Sequence, residues 1–470
     1  MLDLVGKTDE AATIAMLPDG VLLEIFDFCR MDSSRYGITF RPSSWHSLVH
    51  VCQRWRRIMF ASPSRLDLTL LCTYGTPVRK NLGCWPPLPI VVDYFTSWGR
   101  RGPTSNYEDD IIAVLEQPDR IHRLKLNVTN TQLAMVVSMM QVPFPMLTDI
   151  FLSSNDQNVP VLPDAFLGGS APQSLHQIYL EGVSFPALPT FLLSASNLVY
   201  LRLEDIPQNG YISPDAMAAG LAASLRLDSL WIWFKPQTSR LEQRYPPPSN
   251  RVVLPSLVTL NFHGFSEYLE LLLARIDTPR LHSFKITYFN QLNFHVSSLS
   301  QFIDRAENFE WARLRHARIR FNISSAYIKL DCEQGEHRIS RFTLRVVCKG
   351  LDWQVSHLAR ILGQSRTLVS NVGHLSIDED DLQPGWQRDM DDADWLELLR
   401  PFTSVKMLHA SEQLAKHIAL ALNDVSEELL ADVLPSLNSL WLDDQQVTSV
   451  EQFIAVRRFS GNPVAFMIEA

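Results

Sequence analysis

One apolar spacing, Φ-x-x-Φ-x-Φ, recurs along this chain and constrains its fold more than any other feature. It occurs as Ile121/Leu124/Leu126, Leu147/Ile150/Leu152, Leu175/Ile178/Leu180, Leu198/Leu201/Leu203, Leu227/Leu230/Ile232, Leu257/Leu260/Phe262 and Leu281/Phe284/Ile286. It returns as Val372/Leu375/Ile377 and Leu437/Leu440/Leu442, with a weaker copy at Val405/Leu408. Copies stand about 23–33 residues apart, a period in which each unit supplies one short strand and a returning helix or loop. Several copies open on a proline, as in FPMLTDIFL, APQSLHQIYL and LPSLVTLNF, where the missing N–H does not spoil a ladder. The asparagine expected a few residues later is mostly missing, so the repeats should be irregular and unevenly curved.

Residues 309–348 break the rhythm. ARIRF, AYIKL and FTLRVVC are strand-like runs separated by polar turns, which predicts hairpins inserted in the array. Helical returns are expected at Glu267–Ile276, Trp353–Leu362 and Trp395–Leu399. The tail from Ser449 reads as a helix, a Gly461-Asn462-Pro463 turn and a last strand, a cap for the open end. Two stretches read as surface loops: Lys235–Arg251, with Pro246-Pro247-Pro248, and the acidic Ile377–Asp394, which lacks EF-hand spacing.

The first tenth of the chain has a different period. Pro18 and Asp19 suit a first helical turn, and Leu22, Ile25, Phe26 and Cys29 come after them on one helical face. After a polar connection at 31–44, Ser44 is a candidate N-cap. Trp45, Leu48, Cys52, Trp55 and Met59 then repeat on one face of a second helix that ends at Pro63, with His46 and His50 opposite. So small a unit cannot bury all of these side chains alone, and part of its surface should meet the next domain or a partner. The organisation predicted is a flexible tail (1–15), a helical domain (16–66), a linker and solenoid cap (67–118), a solenoid (119–450) and a C-terminal cap (451–470). The fold class is α/β: a small all-helical N-terminal domain, then an irregular leucine-rich-repeat solenoid whose curved parallel sheet carries helices and loops on its outer face.

Leu17-Pro18, the Ile25-Phe26 pair and the helix Val51-Cys52-Gln53-Arg54-Trp55-Arg56 ending near Pro63 resemble the F-box, and the continuation resembles F-box proteins of the kind expanded in fungi. The chain departs from that pattern in a longer loop at 31–44 and in Arg65-Leu66-Asp67-Leu68, where Leu-Trp often stands. The resemblance implies docking onto an SKP-family adaptor, and through it a cullin scaffold, by Leu17, Pro18, Val21, Leu22, Ile25, Phe26, Val51, Cys52 and Trp55. It implies a substrate receptor of an SKP–cullin–F-box ubiquitin ligase that positions a client protein. The alternative is a non-ligase scaffold built from the same parts.

Strand side chains alternate between faces, so the positions between the Φ residues should point outward: Phe151, Tyr179, Tyr200, Arg202, Glu204, Trp231, Trp233, His263, Lys285 and Trp441. Exposed Trp, Tyr and Arg are the residues that dominate binding hot spots, and Phe151, Tyr179, Tyr200, Arg202, Trp231, Trp233, His263 and Trp441 are the candidate client contacts. Arg313, Arg315, Arg318 and Arg320 could hold a phosphate or form a solvated strand face.

Other classes find little support. Lys and Arg total 42 against 51 Asp and Glu, a net charge of −9, without the basic footprint of a nucleic-acid binder. No apolar run approaches the length of a membrane span, and Asp3, Asp9 and Glu10 do not fit a signal peptide. Six cysteines with no CxxC pair suit a reducing compartment, so a cytoplasmic or nuclear location is expected, with Cys29 and Cys52 packed on apolar helix faces. The sequons at Asn127 and Asn322 then read as chance matches. No nucleophile elbow, HExxH, Walker loop or GxGxxG occurs. His46 and His50 have no third ligand nearby and read as a solvated pair. No enzyme activity, metal or cofactor is expected; an enzyme would need a site hidden in 309–394.

Overall fold

The computed structural model describes residues 14–31, 45–73, 78–95, 107–127, 129–154, 161–236, 251–306, 313–334, 337–380, 392–423, 432–442, 451–459 and 463–468. Helices α1 (Asp19–Met31), α2 (Trp45–Val49) and α3 (Gln53–Ala61) form the N-terminal unit. The stretch read as one helix from Trp45 to Pro63 is two. Cys52 breaks it with an extended backbone (φ −158°, ψ 168°), and its Sγ caps α3 by accepting from the Trp55 N–H. Cys52 is therefore exposed rather than packed, and so is Cys29 on α1. Ser44 lies outside the described residues.

The unit does not close its core alone. Leu22, Phe26, Trp45, Val49, Ile58 and Met59 pack with Leu66, Leu68 and Leu88, and the Trp45 indole donates to the Thr69 carbonyl at 3.1 Å. Of His46 and His50, read as a solvated pair, only His50 is exposed, and His46 is half-buried. Both rest against Trp85, His46 stacked 5.3 Å away and nearly parallel, and burial first, then the His50 charge, lowers the His46 pKa.

Two strands precede the first repeat copy: β1 (Leu70–Thr73) and β2 (Ile90–Tyr94), with α4 (Val78–Cys84) between them and α5 (Tyr107–Leu115) after. Parallel pairing then runs through β3 (Ile121–Asn127), β4 (Asp149–Ser153), β5 (Gln177–Glu181), β6 (Tyr200–Ile206) and β7 (Ser229–Phe234). The returns between these strands include α6 (Asn130–Met139), α7 (Leu188–Leu192) and α8 (Pro214–Leu221). A short side pair, β8 (Val252–Val253) with β10 (Ile276–Asp277), flanks β9 (Thr259–Gly264), α9 (Ser266–Leu273) and β11 (Ser283–Tyr288). In the motif the first Φ closes a turn, as Leu175 N–H to the Pro172 carbonyl and Leu281 N–H to the Thr278 carbonyl. The other two point into the core, and nearly all are fully buried. With asparagines mostly missing, the backbone itself makes the inter-repeat ladder: Thr148 N–H to His122 O, His176 to Thr148, Val199 to His176, Asp228 to Val199, Val258 to Asp228 and His282 to Val258, all at 2.7–2.8 Å.

The expected hairpins are a meander: β12 (Leu314–Asn322), β13 (Ser325–Gln334) and β14 (His337–Val347). They enter the sheet in reverse, so β14 pairs parallel with β11, and β12 pairs parallel with β15 (His374–Glu379). An odd number of antiparallel strands restores the original direction, so the array continues without a seam. Helix α10 (Ser297–Arg305) carries the chain into the meander and α11 (Leu351–Gln364) carries it out; Ser300 Oγ and Ser365 Oγ meet at 3.0 Å behind it. After α12 (Asp392–Leu399) come β16 (Met407–Ala410), α13 (Glu412–Asn423), β17 (Ser439–Leu442), α14 (Glu451–Phe459) and β18 (Ala465–Ile468), so the tail ends as a helix and a last parallel strand. The result is one sixteen-stranded sheet among the described residues, with one core under it and an open opposite face. This is a leucine-rich-repeat-like α/β solenoid. The loop read at Lys235–Arg251 falls at 237–250 outside the described residues. The acidic stretch begins inside β15, and 381–391 lie outside them.

Candidate functional site

Two surfaces gather the residues singled out by the sequence. On the N-terminal unit, Arg54 joins the starts of α1 and α3. Its guanidinium donates to the Leu17 carbonyl and the Asp19 carboxylate, both at 2.6 Å. The Leu17-Pro18 and Val51-Cys52 halves of the motif are thereby brought side by side. Along the sequence Asp19 had only a place in the first helical turn and Arg54 only a place in the motif; that the two bond to each other rests on the packing of α1 against α3.

The nine candidate docking residues separate into three groups. Leu22 and Phe26 are 0% and 1% exposed, so they are core and not contacts: they sit on the inward line of α1, with Phe26 against Trp55 at 4.8 Å. Pro18, Val21, Val51 and Cys52 are exposed, Val21 at 43% and Val51 at 59%. Leu17, Ile25 and Trp55 are half-buried between the two.

The second surface is the open face of the sheet. Register places Lys125, Phe151, Tyr179, Arg202 and Trp231 in one cross-strand row. They touch in sequence. Lys125 Nζ lies 4.7 Å from the Phe151 ring centre, Phe151 meets Tyr179 edge-on at 5.9 Å, and the Arg202 guanidinium lies 5.0 Å from Tyr179 and 4.5 Å from Trp231. Trp231 leans on Trp233 at 5.6 Å, and Trp233 meets His263 at 5.9 Å, which meets Phe289 at 4.8 Å.

Polar partners fix this ladder. Arg202 binds the Glu204 carboxylate at 2.7 Å and the Tyr200 hydroxyl at 3.3 Å. The Tyr179 hydroxyl lies 2.8 Å and 2.7 Å from Glu181 and Glu204 oxygens, and the Trp233 indole donates to Asn261 at 3.1 Å. Glu204, read as outward, is buried beneath Arg202 and Tyr179. Burial and the two carboxylates push the Tyr179 hydroxyl far above the usual phenol range. The expected contacts Phe151, Tyr179, Tyr200, Arg202, Trp231, Trp233 and His263 are thus one half-buried surface. Trp441 stands apart, beside His409 on β16.

The four arginines do not form one pocket. Arg313 precedes β12, and a register shift between Leu314 and His316 turns Arg315 toward the Asn371 carbonyl. Arg318 and Arg320 do reach the open face, where Asp378 and Asp380 pair with them. No group of three or more metal-ligating side chains occurs among the described residues, and no described helix is long and apolar enough to cross a membrane.

No family model matches the chain, and no curated protein matches it. Among solved structures it is similar to the leucine-rich repeat-containing protein LegL7 from Legionella pneumophila, at 13% identity over 72% of this chain and 99% of that one, with a TM-score of 0.25. At that score the likeness adds nothing to the repeat geometry above.

Proposed function

We propose that this chain is a protein-interaction module with two docking surfaces, acting as the substrate receptor of an SKP–cullin–F-box ubiquitin ligase. The N-terminal unit docks an SKP-family adaptor and the open sheet face holds a client protein. One observation carries the first part: apolar Pro18, Val21 and Val51 stay in water around the Arg54 tether, while the other side of the same helices is fully covered. Apolar surface left exposed on a unit whose core is already closed is what a docking partner would bury. The second part rests on the aromatic and arginine ladder, whose side chains are pre-ordered by one another and so lose little freedom on binding. The chain would act by holding a client near the ubiquitin-charged enzyme, raising effective concentration rather than breaking bonds.

The test is co-expression with an SKP-family adaptor and size-exclusion chromatography. Point variants are better than removing residues 1–66, because that deletion strips Leu66 and Trp45 from a core shared with Leu68 and Leu88, which lead into the first strands. Wild type should elute as a stoichiometric complex, and Leu17→Ala with Pro18→Ala should not. A folded wild type that forms no complex sinks the adaptor reading. Adding a cullin to the complex separates a ligase subunit from a scaffold.

A further inference from the structure

The open face changes chemistry beyond Trp233, because of the meander. Reading across the register from β9, Lys285 on β11 leads to Thr343 on β14, Lys329 on β13 and Arg318 on β12. In the neighbouring row His263 and Thr287 lead to Arg345, Tyr327 and Arg320. Tyr327 sits between cations, with Lys329 Nζ at 5.1 Å and the Arg345 guanidinium at 5.8 Å from its ring centre. Asp378 and Asp380 answer the two arginines of β12, and Asp378 also faces His409 on β16. Among the described residues no carboxylate pairs with Lys285, Lys329 or Arg345, and Lys285 and Arg345 are exposed. In a chain of net charge −9, this is a local excess of positive charge on the face that otherwise presents the aromatic ladder. The two halves adjoin: burial first and the Arg345 charge second lower the pKa of His263, the last ring before the basic half.

We infer that this half of the open face binds an acidic, extended peptide segment of the client, with an apolar side chain anchored on Trp231 and Trp233 and carboxylates over Lys285, Arg345 and Lys329. It rests on the open face being the client surface. From Trp231 to Arg318 there are five strand spacings of about 4.8 Å, roughly 24 Å, which an extended peptide covers in about seven residues. Charge complementarity selects the occupant, because unpaired cations on a sheet face are answered by anions and penalise basic or neutral segments. Lys285, Lys329 and Arg345 come from three strands, β11, β13 and β14, and Arg345 lies on the strand next to Lys285 only because the meander enters the sheet reversed, with β14 against β11.

Fluorescence anisotropy on the full chain tests this with a labelled peptide of that length, made of Asp and Glu with one Phe at its end. Wild type should bind it, more weakly as salt rises. Lys285→Glu with Lys329→Glu and Arg345→Glu should lose about tenfold or more in affinity, whereas Lys80→Glu on α4 should not. Equal binding of the Asn/Gln counterpart overturns the inference. So does binding only of a phosphoserine version, or tighter binding of oligothymidine. Client capture in cells separates the two readings. Capture that survives the triple reversal but is lost with Trp231→Ala and Trp233→Ala overturns the acidic-peptide inference alone; capture lost by neither variant overturns the client surface as well.

Discussion

Arg202 and Trp231 are register partners on adjacent strands, and the guanidinium of one lies 4.5 Å from the ring centre of the other. Beneath that contact, Glu204 is buried and bonded to both Arg202 and Tyr179. The aromatic ladder is therefore bolted to the sheet by one buried carboxylate. Its side chains are held in place before any partner arrives.

Arg202→Ala should cost more stability than Arg202→Lys. Alanine leaves the Glu204 carboxylate buried without its cation, a loss on the order of 3–5 kcal/mol. Lysine keeps a charge but loses the planar stack, worth about 0.5–1 kcal/mol at a partly open site. Urea unfolding of the two variants checks the order.

The two tryptophans should behave differently. Trp231→Ala removes a stacked ring and should weaken client capture with little change in melting temperature. Trp233→Ala also leaves the buried Asn261 carbonyl oxygen without its indole donor, adding about 1–3 kcal/mol. Equal melting temperatures for both variants would show that the Trp233–Asn261 bond has no structural weight.

On the N-terminal unit, Leu22→Ala or Phe26→Ala should destabilise by about 2–5 kcal/mol. Val21→Asp with Val51→Asp should leave the melting temperature near wild type, because both residues are exposed. That pair should abolish adaptor co-elution if the docking reading holds. Thermal melts and size-exclusion chromatography read the two effects separately.

Cysteine accessibility differs sharply across the fold. Cys29, Cys52 and Cys84 are exposed, while Cys72, Cys332 and Cys348 are buried. Burial pushes the Cys72 and Cys348 thiols up to about 12, leaving little thiolate at neutral pH. Iodoacetamide on the native chain should label the first three and spare the others, as mass spectrometry would show.

His357 on α11 should make stability pH-dependent. It packs between Phe294 and Trp353, and burial first, then Arg360, lowers its pKa to about 4. The unfolded chain therefore binds a proton more readily. Its contribution is complete above pH of about 6.5, the ordinary imidazole value, and is lost as pH falls through 4. His357→Phe should flatten the stability profile across that window in denaturant melts.

Much of this was legible along the chain. The turn-closing and core residues of the repeat copies lie buried from Ile121 to Leu440 wherever their side chains are described, because a strand's alternation and a turn's closure are local. Outward positions were legible for the same reason. What failed was local in another sense. The break at Cys52 needs its sulfur to cap a new helix, and an apolar 3–4 spacing continues across such a break without a sign. His46 read as solvated because Trp85, the ring that covers it, lies far along the chain.

The sequence by itself determined the repeat, its buried residues and the aromatic side chains that face away from the core, since each depends on the direction of side chains along one strand. Tertiary structure alone decided which of those side chains meet. Arg202 reaches Trp231 through register between strands, Lys285 gains Arg345 as a neighbour because β14 and not β12 pairs with β11, and Val21 stays in water while Leu22 does not because α1 turns one side to α2, α3 and the segments leading into the first strands. Register and strand order arise from contacts between residues distant in the chain, so no local pattern encodes them.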